Sequence, residues 1–99
     1  MARLIYDPKA KLEIREAAAY YEACREGLGK AFLLAVEAAA QSLAEHPLHW
    51  RRIGGRFRRC LLKRFPYGII YSAESEFIYI AAVMHLKRKP GYWTKRLKR

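Results

Sequence analysis

Apolar positions recur every three or four residues in the first half of this chain and every one or two in the second. Ala10, Ile14, Ala17, Tyr21 and Cys24 mark the apolar face of a helix, with Glu13, Glu16, Glu22, Arg15 and Arg25 falling largely elsewhere. Asp7-Pro8 gives it a start signal. The carboxylate accepts orphan N–H bonds, and proline in the first turn has no donor to lose. Gly27-Leu28-Gly29 ends the helix, because glycine takes left-handed conformations at no steric cost. Phe32, Val36, Ala39 and Leu43 are the buried stripe of a second helix, which His46-Pro47 ends. So short a connection predicts an antiparallel helical hairpin, and the many alanines permit close approach. Ahead of it, Arg3-Leu4-Ile5-Tyr6 reads as a short strand.

After Pro47 the period changes. Residues 47–55 read as a loop, with Trp50 as an anchor and Gly54-Gly55 as a turn. Residues 57–63, 67–72 and 77–84 are β-branched and aromatic runs, separated by Phe65-Pro66 and by a hairpin turn at 73–76. The run 77–83 is apolar on both faces, as a central strand is. Pro90-Gly91 is a turn, and residues 93–99 read as a last short helix or a frayed tail. The order is therefore β-α-α-β-β-β. The expected fold is α+β, one domain over residues 1–99, with the helical hairpin on one face of a small, mainly antiparallel sheet. The other face of that sheet is expected to carry much of the basic charge.

Charge changes the picture. Residues 51–99 carry 14 Lys and Arg against 2 acids, and residues 1–50 carry 6 against 7, so the net +11 belongs to the second half. A concentration of this kind, interleaved with Phe, Tyr and Trp, calls for an anionic partner. At 53% hydrophobic, the chain is too apolar for a disordered basic tail. No apolar run has the length of a membrane span, and the opening MARLIYDPKAK does not read as a secretory leader. The expectation is a cytoplasmic protein that meets no membrane. Cys24 and Cys60 lack ligand spacing and read as reduced core thiols, with a disulfide between them as the alternative. His46 and His49 do not make a metal site, since Pro47 interrupts any helix and no further ligand joins them. No cofactor or metal is expected.

Taken in order, Ala17-Ala18-Ala19-Tyr20-Tyr21-Glu22, Gly27-Leu28-Gly29-Lys30-Ala31-Phe32, Arg64-Phe65-Pro66-Tyr67-Gly68-Ile69-Ile70-Tyr71, Ile80-Ala81-Ala82-Val83-Met84-His85 and Arg88-Lys89-Pro90-Gly91-Tyr92-Trp93 span nearly the whole chain. This set resembles the RelE/ParE superfamily, the toxins of bacterial type II toxin–antitoxin modules, including those of the plasmid stabilisation type. The resemblance implies a cognate antitoxin. It also implies one of two targets: ribosome-bound mRNA, cleaved as by an mRNA interferase, or DNA gyrase, poisoned without catalysis.

Metal-free RNA cleavage requires a proton acceptor for the 2′-OH, a donor for the leaving 5′-oxygen and cations for the phosphoryl charge. His85, at the end of a strand and with an intrinsic pKa near neutrality, is the acid/base candidate. Its bland alternative is a solvent-facing residue that caps the sheet. The resemblance implies Arg59 and Arg88 as phosphate stabilisers and Tyr92 as a stacking or positioning group. It also shows departures: Gly68 and Leu61 stand where RelE-like nucleases carry cations, and Arg88 matches only with an offset. Arg51, Arg52, Arg56, Arg58 and Arg59 form a second basic cluster, able to grip phosphates or an antitoxin's carboxylates. Lys87, Lys89 and Trp93 extend the contact set, with Trp93 alternatively a plug that pins the tail. The leading expectation is a ribosome-dependent endoribonuclease. Its rivals are a gyrase poison and a catalytically inactive nucleic-acid-binding relative. An acidic, amphipathic antitoxin segment that folds on binding is expected to cover the basic surface.

Overall fold

The computed structural model describes residues 3–96. Strand β1 (Arg3–Tyr6) leads into helix α1 (Pro8–Cys24). Asp7 caps α1 through a 2.8 Å bond from the Lys9 N–H to its carboxylate, as the Asp-Pro signal predicts. The helix stops where Arg25 turns extended. Cys24 is exposed rather than core, so the buried stripe ends at Tyr21, and both cysteines are free thiols.

Helix α2 (Leu28–Glu45) starts at once, its N-cap Gly27 in the left-handed region at φ 87°. Gly29 lies inside α2, where the hairpin is tightest: a Cβ there would sit 2.7 Å from the Ala18 carbonyl oxygen. The Glu22 carboxylate closes the turn by accepting the N–H groups of Gly27 and Gly29 at 2.9–3.1 Å. A negative charge is favoured at that helix N-terminus. These bonds hold the Glu22 carboxyl below its ordinary range.

The rest of the chain adds β2 (Arg52–Gly54), β3 (Phe57–Leu61), β4 (Tyr67–Ala73) and β5 (Phe77–His85). The five strands lie in the order β1-β5-β4-β3-β2, antiparallel except for the parallel pair β1–β5. Strand β2 falls within the stretch expected to be a loop. It is three residues long with an irregular register, too brief for a period to show. Two bonds tie the preceding loop to the sheet: the Tyr71 hydroxyl donates to Pro47 O at 2.6 Å, and Arg58 Nη1 donates to Trp50 O at 2.8 Å.

The sheet has an apolar layer on each face. On the helical side Phe32, Val36 and Leu43 pack against Cys60, Ile69, Tyr71, Ile78, Ile80 and Val83. On the other side Phe57, Ile70, Tyr79, Ala81, Ala82 and Met84 pack under Trp93, with Ile53, Phe77 and Tyr92 around them. The expected basic face is therefore a second core, covered by the chain after β5. Arg59 and Arg88 border that core, and Arg56 stands beside its Phe57. The covering segment proceeds as successive turns, with Thr94 N–H bonded to Gly91 O and Arg96 N–H to Trp93 O. The turns run to Arg96 without forming a helix; residues 97–99 of the expected helix or tail lie outside the described residues.

Candidate functional site

The geometry of the basic half is set by how β5 ends. Strand β1 pairs with it only as far as Tyr6 opposite Ile80, and Asp7 N–H takes the Ile80 carbonyl at 2.9 Å. Just beyond, the register with β4 slips: Tyr71 faces Ile80 and Ile70 faces Ala82, leaving Ala81 as the extra residue of a β-bulge. From Ala81 onward one edge of β5 has no strand beside it.

Side chains close that edge. Glu13 of α1 accepts the Val83 N–H through Oε1 at 3.0 Å. Arg96 donates through Nη1 to Ala81 O at 2.8 Å and spans the Glu13 carboxylate at 2.9 and 3.3 Å. Both side chains are nearly buried, Arg96 at 10% exposed and Glu13 at 12%. Arg88, far more open, lies 3.8 Å from the same carboxylate and places its guanidinium 3.6 Å from the centre of the Tyr92 ring. Arg96 approaches that ring at 4.9 Å. The Tyr92 hydroxyl is buried beside Glu13 without a hydrogen bond of good geometry. Burial above all, and then the Glu13 charge, push its pKa up to about 12 against the opposing pull of Arg88.

Glu13 falls outside the apolar stripe that spacing predicts for α1, and its partner Arg96 lies in the stretch expected to be a last short helix or a frayed tail. The sequence held a signal for Glu13, three residues after Ala10 and four before Ala17, both buried. An acid in that register lies on the buried face and requires a cation.

The four expected catalytic residues are distributed over both faces of the sheet. His85 ends β5 opposite Tyr67, ring against ring at 5.2 Å, on the helical side. Its Nδ1 accepts the Lys87 N–H at 3.0 Å. With Glu13, Glu16 and Tyr67 it lines a small hollow of about 140 Å³. Arg59 pairs with Ile70 and lies on the opposite face. Together with Ile53, Met84, Leu86 and Trp93 it lines another hollow, of about 260 Å³. Arg88 borders both hollows. Tyr92 is held within the Glu13 cluster.

Gly68 and Leu61, the departures noted above, are direct cross-strand partners. Gly68 has a steric function: a Cβ there would lie 2.9 Å from Arg59 Cγ and 3.1 Å from its Cδ, so the arginine stem crosses β4 where glycine leaves room.

The arginine cluster also divides. Arg51 and Arg52 are exposed, Arg56 stands 5.5 Å from the Phe57 ring centre, and Arg58 turns inward to loop carbonyls. Lys87 and Lys89 are exposed. Trp93 is only 4% exposed, with its ring set edge-on to Phe57 and Tyr92, so here it is a plug and offers no face for contact. Among the described residues no three His, Cys, Asp or Glu side chains converge as metal ligands, and no helix is long and apolar enough to cross a membrane.

Residues 4–90 match the family model described as the ParE toxin of the type II toxin–antitoxin system, parDE. The chain belongs to the ParE toxin family. A solved structure titled as the chromosomal ParDE toxin–antitoxin system from P. aeruginosa shares the fold, with TM-score 0.65 and 15% identity over 86% of this chain and 96% of that one. No curated relative matches by sequence. The ParE match ends at residue 90, so Tyr92, Trp93 and Arg96, which hold the cover over the second core, lie beyond it.

Proposed function

We infer that this chain is a toxin that arrests growth by binding DNA gyrase rather than by cutting RNA, and that an antitoxin holds it silent. The single observation that carries the inference is the separation of the residues a ribonuclease would need. His85 is on the helical side of the sheet and Arg59 is on the other, while Arg88, which borders the His85 hollow, sits against Glu13 and the Tyr92 ring. A phosphoryl transition state needs its cations and its proton carrier around one phosphate, within hydrogen-bonding reach. Membership of the ParE family and the fold shared with a ParDE complex support the same reading.

The test is a supercoiling reaction with purified gyrase and this protein. Loss of supercoiling with accumulation of cleaved DNA is expected; undiminished supercoiling rejects the proposal. The competing proposal, ribosome-dependent mRNA cleavage with His85 as acid/base, draws on one observation: His85 is only half-buried, and its Nε2 makes no hydrogen bond among the described residues. Primer extension on translated messages after induction separates the two. New 5′ ends that disappear in His85→Ala establish cleavage, whereas unchanged toxicity of His85→Ala fits the gyrase reading.

A further inference from the structure

We propose that the hollow between Arg59 and Arg88 is a docking pocket for an acidic segment of a protein partner, taking one aliphatic side chain with a carboxylate beside it. This rests on reading the chain as a toxin held by a partner, and it adds where and by what chemistry that partner is gripped.

Three observations carry the proposal. The first is an unengaged cation. Arg59 is half-buried, and its guanidinium has no hydrogen bond or ion pair among the described residues. Such a group gains most from an anion that brings its own acceptors. Its stem crosses β4 over Gly68, which lets the side chain reach the hollow. Arg88, which also lines the hollow, makes no side-chain hydrogen bond among the described residues, and its ion pair with Glu13 is long at 3.8 Å. Among the described residues no acid lines the space.

The second is the floor. Ile53, Ile70, Met84 and Leu86 line the hollow together with the two arginines and supply its aliphatic surface. A ligand must therefore join apolar surface to an anionic group.

The third is size and the lack of a stacking surface. About 260 Å³ is below the roughly 300–1,000 Å³ usual for small-molecule sites and suits one or two side chains. Binding of a nucleobase calls for an open aromatic face. The hollow's one aromatic residue, Trp93, has its ring buried under the cover. Charge complementarity and apolar fit together select an acidic peptide over single-stranded nucleic acid.

The experiment titrates the intact protein with a synthetic peptide of alternating leucine and glutamate, followed by the NMR signals of the Met84 methyl and the Trp93 indole N–H. Saturable shifts at both are expected. Replacing glutamate by glutamine in the peptide is expected to weaken binding about tenfold, the scale of a charge-assisted hydrogen bond. Arg59→Gln should weaken it to the same degree. So should Gly68→Ala, which keeps the charge but displaces the stem. Lys30→Gln, on the distant start of α2, should change it less than twofold. Equal affinity for the glutamine peptide, or full binding by Arg59→Gln, overturns the proposal. A thymidine oligonucleotide that shifts these signals while the peptide does not overturns it in favour of nucleic acid. Gyrase takes no part in this assay, so its outcome is independent of the supercoiling result.

Discussion

At Glu13, one carboxylate answers the Val83 N–H, the Arg96 fork and the more distant Arg88. Removing it leaves a nearly buried guanidinium without its anion and an amide without an acceptor. Breaking one partner of a buried pair is far more costly than replacing both. Glu13→Ala is therefore expected to lower stability by about 3 kcal/mol in urea unfolding, with earlier exposure of Trp93 to a fluorescence quencher. The double variant Glu13→Leu with Arg96→Met should recover much of that loss, and failure to recover any of it would refute the pairing as the cause. Glu22 gives a different readout. Its folded-state pKa is depressed by the N–H groups of Gly27 and Gly29, so its contribution is present above the unfolded value near 4.5 and is lost as pH falls through the lower folded value. Glu22→Gln should lower stability at neutrality and flatten its pH dependence below 4.5. Tyr71 and Tyr92 act at the other end of the scale. Burial raises both to about 12, so the unfolded chain ionises first, and stability should fall between pH 10 and 12 as tyrosinate absorbance appears on unfolding.

Elements were legible in the sequence where a period could run its course. Both helices, β1 and the three longer strands follow from spacing, caps and turn residues, because those signals lie within one or two turns of the chain. What escaped was non-local. Strand β2 is short, and the bulge at Ala81 depends on how β4 and β5 register, which no local run encodes. The basic character of 86–96 suggested an open surface, but Trp93 outweighs the surrounding charges by burying its ring. A strongly basic segment can cover a core if its apolar members point one way and its cations point out. Trp93→Ala is expected to cost about 3 kcal/mol and to open the second core to a hydrophobic dye; an unchanged unfolding midpoint would mean that the cover contributes nothing. The hairpin has its own test in Gly29→Ala. Helix propensity alone gains about 1 kcal/mol, yet the new methyl meets the Ala18 carbonyl, so overpacking of about 1–3 kcal/mol should make the variant less stable.

On the scale of the whole molecule, the candidate site was legible in its residue types but not in its arrangement. Sequence order places His85, Arg88 and Tyr92 within eight residues, and Arg88 does border the His85 hollow, but alternation along the strands puts Arg59 on the opposite face. Residue identity could suggest chemistry; only the three-dimensional register separates His85 from Arg59. The net +11 still directs the molecule toward anions, so association with an acidic partner should slow as ionic strength rises. If Arg59 and its apolar floor anchor the complex, dissociation should be much less salt-sensitive than association, which stopped-flow measurement at two salt concentrations would show.

The parallel pairing of β1 with β5 also bears on how the chain is made. Arg3 pairs with Phe77 and Tyr6 with Ile80, so the first strand to leave the ribosome waits for the last before it can join the sheet. Until then the helical hairpin has no finished sheet to pack on, and neither the Glu13 clamp nor the Trp93 cover can exist. Nascent chains stalled before β5 has emerged should be cleaved readily by protease, and resistance should appear only once β5 is clear of the ribosome. The fold thereby delays assembly of the sheet until β5 has been made, leaving an interval in which the apolar face of the hairpin is uncovered.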